Sequence, residues 1–420
     1  MRRGTAACLM VLAAGIAGLV LSVRHAAAPG ARDGVREYTF ACWGASEEMA
    51  ELHARVLDPI NARHRDVRLR AIPIPSDYDT KLGTMIAGDV APDLFYLSQE
   101  YLPAFAAQGA LLDLTDRIDA DTSPVTDLSD YYPSVLSQCR YRGRLYGLPW
   151  IAQPVVLYCN AALFREAGVG LPDATWDWAR FTDAASRLTG DRDADGRVDQ
   201  WGFILNGWPP PIMWVWQNGG RLVDATGRLN LDDPRVTEAL NVYAGLIHRH
   251  RVAPPLSVVT EAGFAELFRA GKVAMFMGGA ADDLDRIPGL DVVVAEVPAG
   301  PAGIRATFAW TAGLHISRSV RDPERAFELY KELLDGIQHW KVPAPRRSLA
   351  AKLEAFEPRK AAAAEVIRRA METMRTPTIF RRHAEWQTTL REELEEPMLR
   401  DGTPAEQILR RKPWLLETPQ

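Results

Sequence analysis

The chain has 420 residues, 47% of them hydrophobic and 25% charged, and a formal net charge of −5. Because this length exceeds what one hydrophobic core usually organises, we expect two lobes with ample core. The balanced charge, with no basic stripe carrying interleaved aromatic residues, argues against nucleic acid as a partner. The 12 tryptophans stand out, because many lie close to Gly and Pro rather than in periodic apolar segments.

Residues 1–30 have the pattern of an export signal. Arg2 and Arg3 precede an uncharged apolar run from Thr5 to Val23, and the small residues Ala26–Ala28 follow. This order predicts a secretory signal peptide. The apolar run is nearly long enough to span a bilayer, so an N-terminal membrane anchor is the alternative. Either reading predicts an exported, periplasmic or extracytoplasmic protein.

The segment from Val35 to Leu97 predicts a β-α-β-α-β order. Tyr38, Phe40 and Cys42 alternate as in a strand, and Ser46 is placed to cap a helix. A second strand follows from Val67, and the apolar run Leu94–Leu97 is typical of a strand buried in a parallel sheet. In such doubly wound sheets ligands collect at the carboxyl ends of the strands. The predicted rim contains Trp43, Glu47, Ser98, Gln99 and Glu100.

The stretch Arg142–Asn160 begins with a turn and continues as a Pro-rich apolar run. Pro154 is predicted to interrupt the strand, because proline is excluded from central strands. We therefore expect the chain to change direction or sheet between Trp150 and Pro154, before Val155–Tyr158 resumes as a buried strand. This is the pattern of a crossover between two lobes, with Gln153 inside it.

An acidic loop follows a predicted helix at Trp176–Leu188. Asp191, Asp193, Asp195 and Asp199 occupy the first, third, fifth and ninth positions of a loop with Gly at its sixth, like the front of an EF-hand. The bidentate Glu expected at the twelfth position is missing. Ca²⁺ binding and a solvated acidic turn both remain open, and no other cofactor is expected.

Several motifs occur in a recognisable order along the chain. These are Gly143–Pro149, Leu163–Gly168, Pro172–Trp176, an aromatic segment ending at Gly219-Gly220, Phe264–Met277 and Phe308–Ser317. From Tyr38 to Leu334 the set resembles the maltose-binding-like extracellular sugar-binding proteins of bacterial ABC importers.

The resemblance implies an α/β, two-lobed periplasmic-binding-protein fold, each lobe a doubly wound sheet flanked by helices, with a ligand cleft between the lobes. We place the N-terminal lobe at residues 35–150 plus 298–340 and the C-terminal lobe at 154–295 plus 341–420. The implied protein is a monomer without catalytic activity. It captures a carbohydrate and delivers it to the permease subunits of an ABC transporter in the membrane.

Carbohydrate recognition requires flat aromatic faces and planar polar groups. The candidate binding residues are Trp43, Glu47, Ser98, Gln99, Glu100, Trp150, Gln153, Asn206, Trp208, Trp214 and Trp310. By resemblance, Gln153 lies where the family places a sugar-binding acid or amide, and Trp208 at a stacking position. Core packing is the competing interpretation for each tryptophan, and helix N-terminal charge for Glu47.

Two other functions stay open. A secreted glycoside hydrolase would also be rich in Trp and acids, but hydrolysis requires two carboxylates at a set separation, and no acid pair falls in a recognisable motif. A membrane-anchored sugar-sensing domain would use the same fold and retain the N-terminal apolar segment. Motifs for nucleophilic, zinc or nucleotide chemistry do not occur in the sequence.

Overall fold

The computed structural model describes residues 35–44, 46–224, 228–282, 284 and 287–417. The predicted signal peptide or anchor at residues 1–30 lies outside them. Within the described ranges, no helix combines the length and the apolar character that a membrane span requires.

The strands, numbered in chain order, are β1 Arg36–Cys42, β2 Val67–Pro73, β3 Leu94–Ser98, β4 Arg140–Tyr141, β5 Arg144–Leu145, β6 Gly147–Asn160, β7 Met275–Gly279, β8 Val292–Ala295, β9 Thr307–Ile316 and β10 Met374–Arg375. The α-helices are α1 Ser46–Leu52, α2 Asp58–Arg63, α3 Tyr78–Ala87, α4 Leu102–Ala107, α5 Thr115–Ala120, α6 Pro133–Ser137, α7 Ala161–Glu166, α8 Trp178–Arg187, α9 Ile212–Gln217, α10 Pro234–His248, α11 Leu256–Ala262, α12 Phe264–Arg269, α13 Pro323–Trp340, α14 Arg347–Ala350, α15 Leu353–Phe356, α16 Ala364–Thr373, α17 His383–Leu390, α18 Glu396–Asp401 and α19 Ala405–Arg411. Short 3₁₀ or π segments are His53–Leu57, Pro124–Thr126, Leu128–Asp130, Pro358–Ala363, Arg391–Glu395 and Pro413–Leu416.

The main sheet has the strand order β2-β1-β3-β9-β6-β7, with β8 paired to β6 and β10 paired to β9. Strands β1, β2 and β3 are parallel, as the β-α-β-α-β pattern predicts. Strand β9 returns antiparallel to β3, with Leu94 opposite Ile316. The carboxyl end of β3 therefore faces the middle of β9, where Ser98 lies opposite Ala312.

The predicted interruption of the strand at Pro154 is wrong. The strand runs without interruption from Gly147 to Asn160, with a register shift between Pro149 and Ile151. What changes is the partner: β6 pairs with β9 up to Pro154, and with β7 and β8 beyond it. Pro154 is tolerated because it lies at the end of one ladder, where the missing N–H removes little.

Three clusters of buried apolar side chains form the core. One packs β1–β3 and the amino-terminal part of β6 against α13. A second packs the carboxyl-terminal part of β6 against α8, α9, α10 and the helices α17–α19. A third lies between β6, β7 and α16. Trp310 of β9 packs against both the first and the second cluster, which places it where the two meet. The residue bounds of the two lobes stay a prediction.

Candidate functional site

A cleft opens where the first and second cores meet. It encloses about 380 Å³ and is lined from one side by Glu100 and Tyr101, which follow β3. The opposite wall comes from the turn before α9, including Trp208, and from α17 with the π segment after it. A neighbouring cavity of about 630 Å³ shares five lining residues with the cleft. These are Ile212, Leu222, Pro377, His383 and Trp386.

Two of the predicted tryptophans line the cleft directly. Trp208 is partly exposed, and its ring packs edge-on against Phe308 at 6.2 Å between centroids. Trp310 projects from β9 and is also partly exposed. Flat, partly exposed aromatic faces in a cleft are suited to the apolar faces of a ring-shaped ligand.

Behind Trp310 lies an aromatic cluster. The ring of Trp43 is 5.9 Å from Trp310 and 5.8 Å from Trp150, and Tyr96 stacks on Trp150 at 4.5 Å. Trp150 is 3% exposed, and its indole N–H is buried with no hydrogen-bond partner among the described residues. The structure places Trp43, Trp150 and Trp310 close together, but of these three Trp310 lines the cleft, whereas Trp43 and Trp150 pack behind it.

The polar residues at the end of β3 and directly after it differ in how deeply they are buried. Glu100 reaches the cleft, whereas Gln99 is buried, with an amide oxygen that lacks a hydrogen-bond partner in the described structure. Ser98 is partly buried at the end of the β3 ladder. Glu47 is exposed in the first turn of α1, the position that a negative charge favours at a helix N-terminus.

Gln153 and Asn206 make local contacts. Gln153 lies opposite Trp310 in the β6–β9 ladder, and its amide nitrogen donates to Asp282 Oδ1 at 3.2 Å. Asn206 accepts a hydrogen bond from the backbone N–H of Trp208 at 3.2 Å. Asn206 therefore shapes the turn that presents Trp208 to the cleft.

Trp214 is a core residue, and here the sequence interpretation needs correction. It is 1% exposed in the middle of α9, with its ring 5.2 Å from Trp178 and 6.0 Å from Tyr243. Helical periodicity turns it away from the cleft, toward the second core. The alternative of core packing accounts for it fully.

The sequence interpretation missed the contribution of α17 and the segment after it. His383, Trp386, Arg391 and Glu395 all line the cleft. The only sequence signal was the spacing of His383 and Trp386, which places both on one face of a helix. Tyr101, directly after the predicted rim, was missed as well.

Burial shifts the pKa values of three titratable side chains that line the cleft. Burial, with a smaller contribution from the neighbouring Asp79, raises the pKa of Glu100 to about 7. Burial also raises the pKa of Glu395 to about 7, although Arg391 opposes the shift. Burial lowers the pKa of His383 to about 4. Near neutral pH the imidazole is therefore uncharged, and each of the two carboxyl groups is a mixture of its protonated and ionised forms. All three groups can take part in hydrogen bonds, the protonated carboxyl as a donor and the ionised one as an acceptor.

The acidic loop lies apart from the residues that line the cleft. Carboxylate oxygens of Asp191, Asp193 and Asp195 lie within 4.8 Å of one another. Asp199 instead accepts the backbone N–H of Arg192 at 2.9 Å. Gly196, with φ +88°, donates its N–H to Asp191 at 2.7 Å, and this hydrogen bond lowers the pKa of Asp191. Three clustered carboxylates are the ligand type that a hard cation prefers.

Comparison with known proteins agrees with this arrangement. The sequence profile of the family described as bacterial extracellular solute-binding protein matches residues 45–335. A binding protein of Brucella abortus is 26% identical over 257 residues, which are 59% of this chain and 60% of that protein. The chain thus spans about 60% of the length of this curated relative.

Solved structures establish the fold. An ABC substrate-binding protein of Listeria monocytogenes, in complex with cycloalternan, has a TM-score of 0.77 at 24% identity, covering 90% of this chain and 97% of the other. An ABC transporter solute-binding protein of Thermotoga lettingae, bound with α-D-tagatose, has a TM-score of 0.74 at 19% identity, covering 90% and 98%. The predicted two-lobed α/β class is confirmed.

Proposed function

Because the chain belongs to the bacterial extracellular solute-binding protein family, we propose that it captures a carbohydrate in the cleft between its two cores and delivers it to an ABC permease. The observation that carries the proposal is the composition of the cleft wall. Trp208 and Trp310 offer flat apolar faces, and Glu100, His383 and Glu395 offer hydrogen-bonding groups of low net charge. A sugar ring presents the complementary surface, with apolar C–H faces and a rim of hydroxyls.

The proposed protein acts outside the cytoplasm as a monomer, and its partners are the permease subunits in the membrane. The names of two similar solved structures support the partnership with an ABC transporter, since one is an ABC substrate-binding protein in complex with cycloalternan and the other an ABC transporter solute-binding protein bound with α-D-tagatose. The predicted export signal at residues 1–30 supports the location.

We further propose that the cleft catalyses no turnover. A glycoside hydrolase needs one carboxyl protonated and the other ionised, and it obtains them from environments that push the two pKa values apart. Here burial raises the pKa of Glu100 and the pKa of Glu395 in the same direction, each to about 7. Neither acid is set apart as an ionised nucleophile or base.

The test is a thermal-shift screen of the mature protein against glucose, tagatose, maltose, maltotriose, mannobiose and cycloalternan. A bound sugar at a hundred times its dissociation constant should stabilise the protein by about 2.7 kcal/mol. Calorimetric titration then measures affinity, and chromatography of the sugar after long incubation should recover it intact. Release of a smaller sugar would contradict the absence of turnover, and no stabilisation by any of these sugars would contradict the proposed ligand class.

A further inference from the structure

His383 is buried without a hydrogen-bond partner at the junction of the two cavities. It is the first residue of α17 and 2% exposed, yet neither ring nitrogen has a hydrogen-bond partner among the described residues. It lines both the cleft and the neighbouring cavity. Phe380 and Trp386 hold the ring, with centroids 4.9 and 5.8 Å away. Packing against these rings, rather than a hydrogen bond to a described residue, therefore holds the imidazole in place.

A second buried histidine of the same protein does have a hydrogen-bond partner. His315 of β9 is 1% exposed, and its Nδ1 lies 2.8 Å from the backbone oxygen of Tyr146. Buried polar groups in native proteins are nearly always paired, and an exception calls for a specific reason. His383 lines both the cleft and the neighbouring cavity, so a ligand that enters either space can supply a missing partner.

The ring of His383 is neutral near pH 7, because burial lowers its pKa to about 4. A neutral imidazole offers one N–H donor and one acceptor nitrogen, which suits a ligand whose groups both donate and accept. The titratable and charged side chains that line the two cavities with it are Glu100, Tyr101, Arg221, Asp224, Arg375, Arg391 and Glu395.

We propose that His383 is a specificity-determining residue, whose neutral ring donates one hydrogen bond to, and accepts one from, hydroxyl groups of an uncharged sugar in the cleft. This rests on the proposed function and adds to it one specificity-determining residue and the restriction to uncharged sugars. Hydroxyls fit because each can act as donor or acceptor, so either tautomer of the ring finds a partner. A ligand that lacks hydroxyls there would leave both buried nitrogens unpaired, which disfavours its binding.

The experiment compares wild type with His383→Phe, which keeps a ring in the packed position, and His383→Gln, which restores one donor and one acceptor. The control is His315→Ala, a buried histidine outside the residues that line the cleft. The probes are maltose, mannobiose and tagatose, titrated calorimetrically at pH 7.5 beside apo melting curves. We expect His383→Phe to lose about tenfold or more in affinity without a lower apo melting temperature, since two unpaired polar atoms are removed. His383→Gln should recover part of the affinity, and His315→Ala should melt earlier but bind as wild type.

A pH series gives a second readout. Between pH 7 and 4 the wild type should lose affinity as the ring becomes charged, and His383→Phe should lack this component of the decrease. Unchanged affinity of His383→Phe for every sugar that binds the wild type would overturn the inference and leave the proposed function intact. If wild type binds none of the sugars in either this set or the thermal-shift screen, the proposed function fails, and the inference fails with it.

Discussion

At the residue scale, Trp208 and Trp214 belong to the same aromatic segment but differ in role, because one lines the cleft and the other is buried in the core. Trp208 lines the cleft, whereas Trp214 is 1% exposed in the second core. We expect Trp208→Ala to lose roughly 1–3 kcal/mol of binding, as aromatic stacking losses do, with little change in apo stability. Trp214→Ala should lose about 3–5 kcal/mol of unfolding free energy, while the remaining folded protein keeps its affinity. Calorimetric titration and apo denaturation of both variants measure this, and equal destabilisation of the two would contradict it.

Glu100 provides a pH prediction. Its folded pKa of about 7 lies above the ordinary value of 4.5, so the folded state holds a proton that the unfolded state has lost between these pH values. The stability that Glu100 contributes therefore falls as pH rises through this window. We expect apo Glu100→Gln to gain stability relative to wild type as pH rises from 5 to 8. Using this difference cancels the opposing contributions of the buried histidines.

The control for that series is Glu166→Gln, because Glu166 is exposed on α7. Its melting temperature should follow wild type at every pH. If Glu100→Gln also follows wild type from pH 5 to 8, the carboxyl is ionised in the folded protein throughout this range, and the raised pKa of Glu100 is disproved.

The residues of the site could be predicted in part. Trp43 follows the end of β1 and Trp208 lies in a turn, and the carboxyl ends of parallel strands meet at one rim of a sheet. Trp310 instead lies within β9. His383 could not be found in this way, because it is remote in sequence and its helix reaches the cleft only through tertiary packing. Trp214 was misassigned because an aromatic-rich segment does not reveal which face of a six-residue helix is buried.

At the scale of elements, the β6–β9 ladder decides how the two cores are connected. The sequence pattern correctly predicted extended structure on both sides of Pro154. It did not predict that the two parts form one continuous strand, because a proline is normally excluded from a central strand. The chain avoids the break by changing neighbours at that residue, and neighbour choice depends on residues far away in sequence, such as Gly279 and Ala309.

A substitution at Gly147 tests how closely β6 and β9 approach each other. A Cβ there would lie 2.4 Å from the backbone oxygen of Leu314 and 2.6 Å from the His315 ring, across the β6–β9 pair. We expect Gly147→Ala to cost about 1–3 kcal/mol of stability through overpacking. Gly83 in α3 meets no heavy atom within 4 Å, so Gly83→Ala should instead stabilise the protein by about 0.5–1 kcal/mol. Urea denaturation of both variants checks the signs, and a neutral Gly147→Ala would contradict the close approach of the strands.

The acidic loop makes a separate prediction. If Asp191, Asp193 and Asp195 hold Ca²⁺, millimolar Ca²⁺ should raise the apo melting temperature, because the missing twelfth ligand makes the site weak. Asp195→Asn should reduce this shift, whereas Asp183→Asn, an exposed residue of α8, should not. A wild-type melting temperature that is the same in Ca²⁺ and in a chelator would assign the loop as a solvated acidic turn.

At the scale of the whole molecule, the first and second of the three core clusters meet where Trp310 of β9 packs against both. The two-lobed class could be predicted from chain length and the order of motifs, because both depend on the whole sequence rather than on one residue. The placement of α17 over the cleft did not follow, since helices after the last motif carried no signal of where they dock.

The arrangement of the cleft predicts a change of shape on binding. Glu100 and Tyr101 come from the side of the first core and Trp208 from the second, so a ligand that contacts both favours the state in which they are closest. We expect the radius of gyration, measured by X-ray scattering, to decrease when a sugar from the screen saturates the wild type. Trp208→Ala should show the same decrease only at a higher sugar concentration, in proportion to its lost affinity. Saturating binding with an unchanged radius of gyration would show that one wall alone supplies the binding energy, and would contradict a hinged mechanism.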